Sequence, residues 1–377
     1  MTSDCVYLDH AATTPVDERV LEVMQPWFRG PGAANPASSQ HGPGRDAAGA
    51  VATAREHVAA LLSATPGEIV FTSGATESCN LGIGGLARAI GRGHVVTVAH
   101  EHPAGLDPIR RLGGEGFEIT IVPASATGVV TAAEIESALR PDTLLVSVMW
   151  ANNELGTIND VPGIAALCHD RGVALHCDAT QAVGKVPIDL GNLPITLLSC
   201  SAHKLYGPKG VGALFVRAGT RVRPIIEGGG HERGLRSGTL NVPGIVGFGE
   251  ACRLCAQEMD TEATRLAALR DRLETNLQER LAGVQVNGDP HRRLPTITNL
   301  SLGGVEGPEP LVNRIQGVAC AAGSACSSAR EGPSHVLEAI GIPAGLARNA
   351  LRLSVGRTTT EADVETAIDR IVAAVSD

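Results

Sequence analysis

Glu68-Ile-Val-Phe71, His94-Val-Val-Thr-Val98, Phe117-Glu-Ile-Thr-Ile-Val122, Leu144-Leu-Val-Ser-Val-Met149, Val173-Ala-Leu-His-Cys177, Ile195-Thr-Leu-Leu-Ser-Cys200 and Val211-Gly-Ala-Leu-Phe-Val216 punctuate the stretch from Glu68 to Val216. Helical patterns separate them, so the stretch reads as a βα series. Runs apolar at nearly every position match strands covered on both faces, not strands with one wet face. An α/β fold follows, with a mostly parallel seven-stranded sheet between helices. In such a sheet ligands bind beyond the strand ends.

Outward from this core, the stretch from Pro243 to about Gln285 carries Leu266, Leu269, Leu273, Leu277 and Leu281 at helical spacing, which predicts one long connecting helix. Leu294-Pro-Thr-Ile-Thr-Asn-Leu-Ser-Leu302, a helix near Leu311, strands near Val318 and Leu351, and a final helix opened by Thr360-Glu-Ala-Asp363 read as a smaller α+β domain. A chain of 377 residues with 43% hydrophobic residues has the material for two or three domains. Aromatic residues make up only 2% and glycines number 45, so the packing rests on Val, Ile, Leu and Ala around many tight turns.

A net charge of −9 argues against a surface that coats nucleic acid or hugs a membrane, and points to small molecules and proteins as partners. Met1 to Pro15 lacks the apolar run of a signal peptide, and no stretch approaches the ~20 apolar residues of a membrane span; a cytoplasmic protein is expected. Nine scattered cysteines favour reduced thiols over a disulfide framework.

Two strand ends carry the chemistry. Lys204 closes Leu198-Ser-Cys-Ser-Ala-His-Lys204, and Asp178 follows the run ending at Cys177. Pyridoxal phosphate needs this pair: a lysine amine to hold its aldehyde as an imine, and a carboxylate facing its pyridine nitrogen. Asp178 alone is equally a cap at a strand-to-helix junction. Thr72-Ser-Gly-Ala-Thr-Glu-Ser78, between a strand and a helix, offers N–H groups and hydroxyls to a phosphate; an ordinary capped helix start is the alternative. The glycines of Gly82-Ile-Gly-Gly-Leu-Ala87 fall inside the next helix, where a dinucleotide fingerprint does not belong. Trp150-Ala-Asn-Asn-Glu154 supplies an amide beyond a strand, or a turn-forming Asn pair. His100-Glu101-His102 has no third ligand at telling spacing, so one functional histidine is preferred to a metal, and none is expected. Cys252 and Cys255 stand at helical spacing as core thiols.

Cys326 lies in Gly323-Ser-Ala-Cys-Ser-Ser328, among small residues that leave a thiol unshielded, and is the candidate nucleophile. Arg352, inside apolar Leu351-Arg-Leu-Ser354, is either a bidentate clamp for a substrate carboxylate or a surface edge position.

Tyr7-Leu-Asp-His-Ala-Ala-Thr13, Thr72 to Ser78, Asn152-Asn-Glu154, Asp178-Ala-Thr-Gln181, Ser201-Ala-His-Lys204, Gly228-Gly-Gly-His-Glu-Arg233, Arg236-Ser-Gly-Thr239 and Gly323-Ser-Ala-Cys326 together resemble cysteine desulfurases of the class V aminotransferase family, across nearly the whole chain. The resemblance implies a fold-type I pyridoxal phosphate enzyme, with a large domain over residues 14–258 and a small one from 1–13 and 259–377. It implies Lys204 as the imine lysine, Asp178 at the pyridine nitrogen, Gln181 and Asn153 near the phenolic oxygen, and His102 stacked on the ring. It further implies Ala75, Thr76, Ser201 and His203 around the phosphate, and Thr239 reaching it from the other subunit of a homodimer. Asn153 and Arg352 would bind the substrate.

The implied reaction converts L-cysteine to L-alanine, with His102 as acid or base and a persulfide left on Cys326 for a sulfur-acceptor protein. Iron–sulfur assembly, tRNA thiolation and DNA phosphorothioation are the candidate destinations. The spacing after Cys326 resembles the longer-loop group, so weak order is expected there. A selenocysteine lyase or aminotransferase, and a persulfide-presenting scaffold of low intrinsic activity, are the alternatives. Cys79 and Pro103-Ala-Gly105 depart from the family pattern without removing a catalytic group.

Overall fold

All seven apolar runs lie in one sheet of the computed structural model, which describes residues 5–305, 309–323 and 334–376. Cys326, and the weak order expected around it, lie outside those residues. After a short β1 (Val6–Tyr7), the sheet is built from β2 (Ile69–Thr72), β3 (His94–Val98), β4 (Glu118–Val122), β5 (Thr143–Met149), β6 (Ala174–Asp178), β7 (Leu197–Ser201) and β8 (Gly212–Val216). Their order is β2-β8-β7-β6-β5-β3-β4. β8 alone runs opposite to the other six strands. The link from Ala202 to Val211 is too short for a crossover helix, so the chain turns back beside β7. Every residue of β5, β7 and β8 is buried, as two-sided cover requires, whereas the edge strand β4 leaves Ile121 exposed.

The predicted connecting helix is Val242–Arg280. It stops short of Gln285, because Leu281 turns extended, Gly283 takes φ +73°, and Val284 starts a strand. Val242, Ile245 and Phe248 join the core of the large sheet, while Leu266, Leu269, Leu273 and Leu277 join a second core with Val6, Leu8, Leu300, Leu353 and Ile368. That second core backs a sheet of β9 (Val284–Val286), β10 (Ile297–Leu302) and, after β11 (Val318–Ala319), β12 (Ala350–Ser354), in the order β12-β10-β9. β1 pairs with β11, which carries the start of the chain to the same side as its end. The final helix, Glu361–Ser376, begins with the expected reciprocal cap: Thr360 N donates to Asp363 Oδ2 at 2.9 Å, and Asp363 N to Thr360 Oγ1 at 3.1 Å.

Candidate active site

The C-terminal ends of the parallel strands converge on a cavity of ≈ 410 Å³. β6 delivers Asp178 and β7 delivers Ser201; the turn after β7 adds His203 and Lys204. Ala75, Thr76, His102, Asn153, Gln181 and Arg352 complete the set of predicted residues on its wall. Thr239 is exposed and does not line it within this chain.

Lys204 Nζ donates to the carbonyls of Ala11 at 2.5 Å and Ala12 at 2.6 Å. These two peptides form a floor whose part nothing in their side chains announced. Asp178 is 7% exposed; its Oδ1 accepts from Thr180 N at 2.9 Å, so it caps the turn as well as facing the cavity. Cys79 Sγ lies 3.8 Å from Asp178 Oδ2. Burial, reinforced by the Asp178 charge, pushes the Cys79 thiol well above its usual pKa, so it stays a neutral donor. Gln181 Nε2 donates to Ala11 O at 2.9 Å, and its Oε1 faces Lys185 Nζ at 3.4 Å.

His102 caps the helix Pro103–Gly114, its Nδ1 accepting from Ala104 N at 3.1 Å. The proton of the neutral ring therefore sits on Nε2. Burial lowers its pKa, helped by Lys204 and opposed by Asp178. The other histidine of that run, His100, is buried off the cavity wall. His203 Nδ1 meets Thr13 Oγ1 at 3.1 Å, and burial with the charges of Lys204, Lys209 and Lys185 holds its pKa down to about 4.

A right-handed helix runs unbroken from Ala75, through a π turn at Asn80–Gly84, to Ile90, so the glycines of Gly82 to Gly85 are helix interior. Gly74 before it sits at φ +147°, a conformation a side chain disfavours. Thr72 and Ser78 hydroxyls meet at 2.8 Å, and Glu77 pairs with Arg236 at 2.9 Å. The N–H groups of Ala75 and Thr76, in the first turn, have no helical acceptor, and both residues line the cavity.

Arg352 is 1% exposed, which removes the surface-edge reading. Nη2 pairs with Asp9 Oδ1 at 2.7 Å and Nη1 donates to Asn153 O at 3.0 Å, while Nε has no partner among the described residues. Asp9, unassigned from the sequence, was detectable as the one acid in Tyr7-Leu-Asp-His-Ala-Ala-Thr13. Asn152 is the turn-former of its pair: Oδ1 accepts from Glu154 N at 2.8 Å and Leu155 N at 2.9 Å, which leaves Asn153 on the wall.

The class-V aminotransferase family model matches residues 6–366. Cysteine desulfurase IscS of Klebsiella pneumoniae is 48% identical over 371 residues, covering 97% of this chain and 91% of that protein. Among solved structures, a NifS-like protein superposes with a TM-score of 0.91 at 36% identity, covering 99% of both chains. A structure described as SspA in complex with cysteine gives 0.83 at 38% identity, over 93% of this chain and 98% of that one. The chain belongs to the class-V aminotransferase family, among its cysteine desulfurases.

Proposed function

We propose that this chain is a pyridoxal phosphate-dependent L-cysteine desulfurase that makes L-alanine and leaves a persulfide on Cys326 for a sulfur-acceptor protein. The observation that carries the reading is one cavity walled by Lys204, Asp178 and the buried guanidinium of Arg352. A solved relative described as a complex with cysteine supports the substrate. The donor set fits the cofactor: an amine, a buried carboxylate, and a cradle of helix N–H groups and hydroxyls beside Gly74, whose φ of +147° disfavours a side chain.

Lys204 would hold the aldehyde, Asp178 the pyridine nitrogen, Gln181 and Asn153 the phenolic oxygen, His102 the ring face, and Ala75, Thr76, Ser201 and His203 the phosphate. When bound, the cofactor supplies an electron sink for bond breaking at the substrate carbons. The Lys204 amine carries the α-proton. Neutral His102, with its proton on Nε2, exchanges protons inside the cavity. Arg352 takes the substrate carboxylate. Cys326, as a thiolate, attacks the substrate sulfur: the S–S bond forms, the Cβ–S bond breaks, and its electron pair stays with the β-carbon, which accepts a proton.

A large domain, 14–258, and a small one, 1–13 with 259–377, are part of this reading, and the two main cores joined by one helix support it. Thr239, exposed next to Arg236 and so next to the phosphate cradle through Glu77, suits a homodimer in which it serves the partner's site. Among the described residues no helix is long and apolar enough to cross a membrane. The reading is tested with purified protein and L-cysteine. Alanine should form, and Cys326→Ser should keep the yellow band while losing the persulfide. Unchanged turnover in that variant, or a keto acid as product, overturns it.

A further inference from the structure

Glu154 follows Asn153 but points elsewhere. Its side chain is fully buried, is not on the cavity wall, and has no part in the chemistry above. Oε2 accepts from Ser334 Oγ at 2.5 Å. The direction is fixed, because Ser334 Oγ already accepts from Val336 N at 3.1 Å and Leu337 N at 3.3 Å, so its single proton goes to the carboxylate. On the other side, a methyl placed on Gly323 would lie 3.1 Å from the same Oε2 and 3.4 Å from Ser334 Cβ. The two ends of the Cys326 segment therefore meet at one buried carboxylate.

Each end is also fixed to a different part of the site. Just before Gly323, Ala321 exchanges backbone bonds with Arg352, N to O at 3.2 Å and O to N at 2.6 Å. Just after Ser334, His335 Nε2 meets Glu101 O at 2.9 Å, beside His102. Glu154 Oε1 is buried without a partner among the described residues. Such an orphan is costly to bury.

We propose that Glu154 is a positioning residue for Cys326: by clamping Gly323 against Ser334, it fixes where the segment bearing the nucleophile starts and ends relative to Arg352 and His102. This rests on Cys326 being the nucleophile. The clamp acts on the sulfur-transfer step alone, since cofactor binding and the first encounter with cysteine use other residues.

The holoenzymes of Glu154→Ala, Glu154→Gln and Ser334→Ala test it. The cofactor band, and its change on adding L-cysteine, should match the parent protein in all three. Persulfide on Cys326, trapped by alkylation and read by intact mass, should form on the order of tenfold more slowly in Glu154→Ala and Ser334→Ala. Glu154→Gln, which keeps an acceptor for Ser334, should recover most of the rate. The double alanine variant should be no slower than Glu154→Ala, because the two residues act as one clamp. Parent-like persulfide formation in the alanine variants overturns the assignment. So does joint loss of band and persulfide in both, which would make the role merely structural. A parent protein whose band ignores cysteine would remove the functional reading itself, and the assignment with it.

Discussion

At the scale of single residues, the site is read through side chains that have few inexpensive reasons to be buried. Lys204, Asp178 and Arg352 were identifiable because each places charge beside an apolar strand, where desolvation must be offset by a ligand or a partner. The carbonyls of Ala11 and Ala12 were not, since a backbone acceptor leaves no mark in a sequence. Arg352 shows how a residue's role depends on its fork. Two edges are held by Asp9 and Asn153, so the planar group is already oriented before any carboxylate arrives. Arg352→Lys keeps the charge and loses that geometry. Steady-state kinetics should show KM for cysteine rising by about tenfold or more with the cofactor band intact, and a KM within twofold of the parent would exclude a clamp.

At the scale of elements, most strands were legible because two-sided burial writes a nearly continuous apolar run, and each run, the edge strand β4 included, became a strand. What the runs do not encode is direction: the reversal of β8 follows from a short connection, not from composition. The end of the long helix was also displaced, as Leu281 keeps the helical spacing while Gly283 takes a left-handed turn. Gly212 at the start of β8 shows the tightest coupling between an element and the site. A Cβ there would lie 2.5 Å from Cys200 O and 2.7 Å from Gly74 Cα, so β8 and the phosphate turn can approach only over a glycine. Gly212→Ala should destabilise the fold by about 1–3 kcal/mol and weaken cofactor retention, since Gly74 must move. Denaturation and cofactor-release measurements check both, and unaltered retention would mean that the turn yields freely.

At the scale of the whole molecule, the pairing of β1 with β11 spans nearly the full chain, and no local pattern announces a contact of that range. Its consequence is that the small core and the floor under Lys204 are tied to one N-terminal segment, through Leu8 and Ala11. Burial also sets how the molecule meets acid. His10, His100, His176 and His203 are each held down to about 4, burial being the largest cause in every case. In the unfolded chain they titrate near the ordinary value of about 6.5. Above that pH both states are neutral and the full stability is present. Below it the unfolded chain gains protons that the folded one refuses, so stability falls as pH drops from about 6.5 to about 4 and levels off once the folded histidines also protonate. His176 is the sharpest test: it is fully buried, with Ser147 Oγ and Ser199 Oγ each 2.9 Å from a ring nitrogen. Neither hydroxyl can compensate a charge there, so His176→Gln should lose less stability across that window than the parent does. Denaturant midpoints taken between pH 7 and 4 read the difference, and parallel curves for the two proteins would show that His176 is not among the groups that set the acid limit.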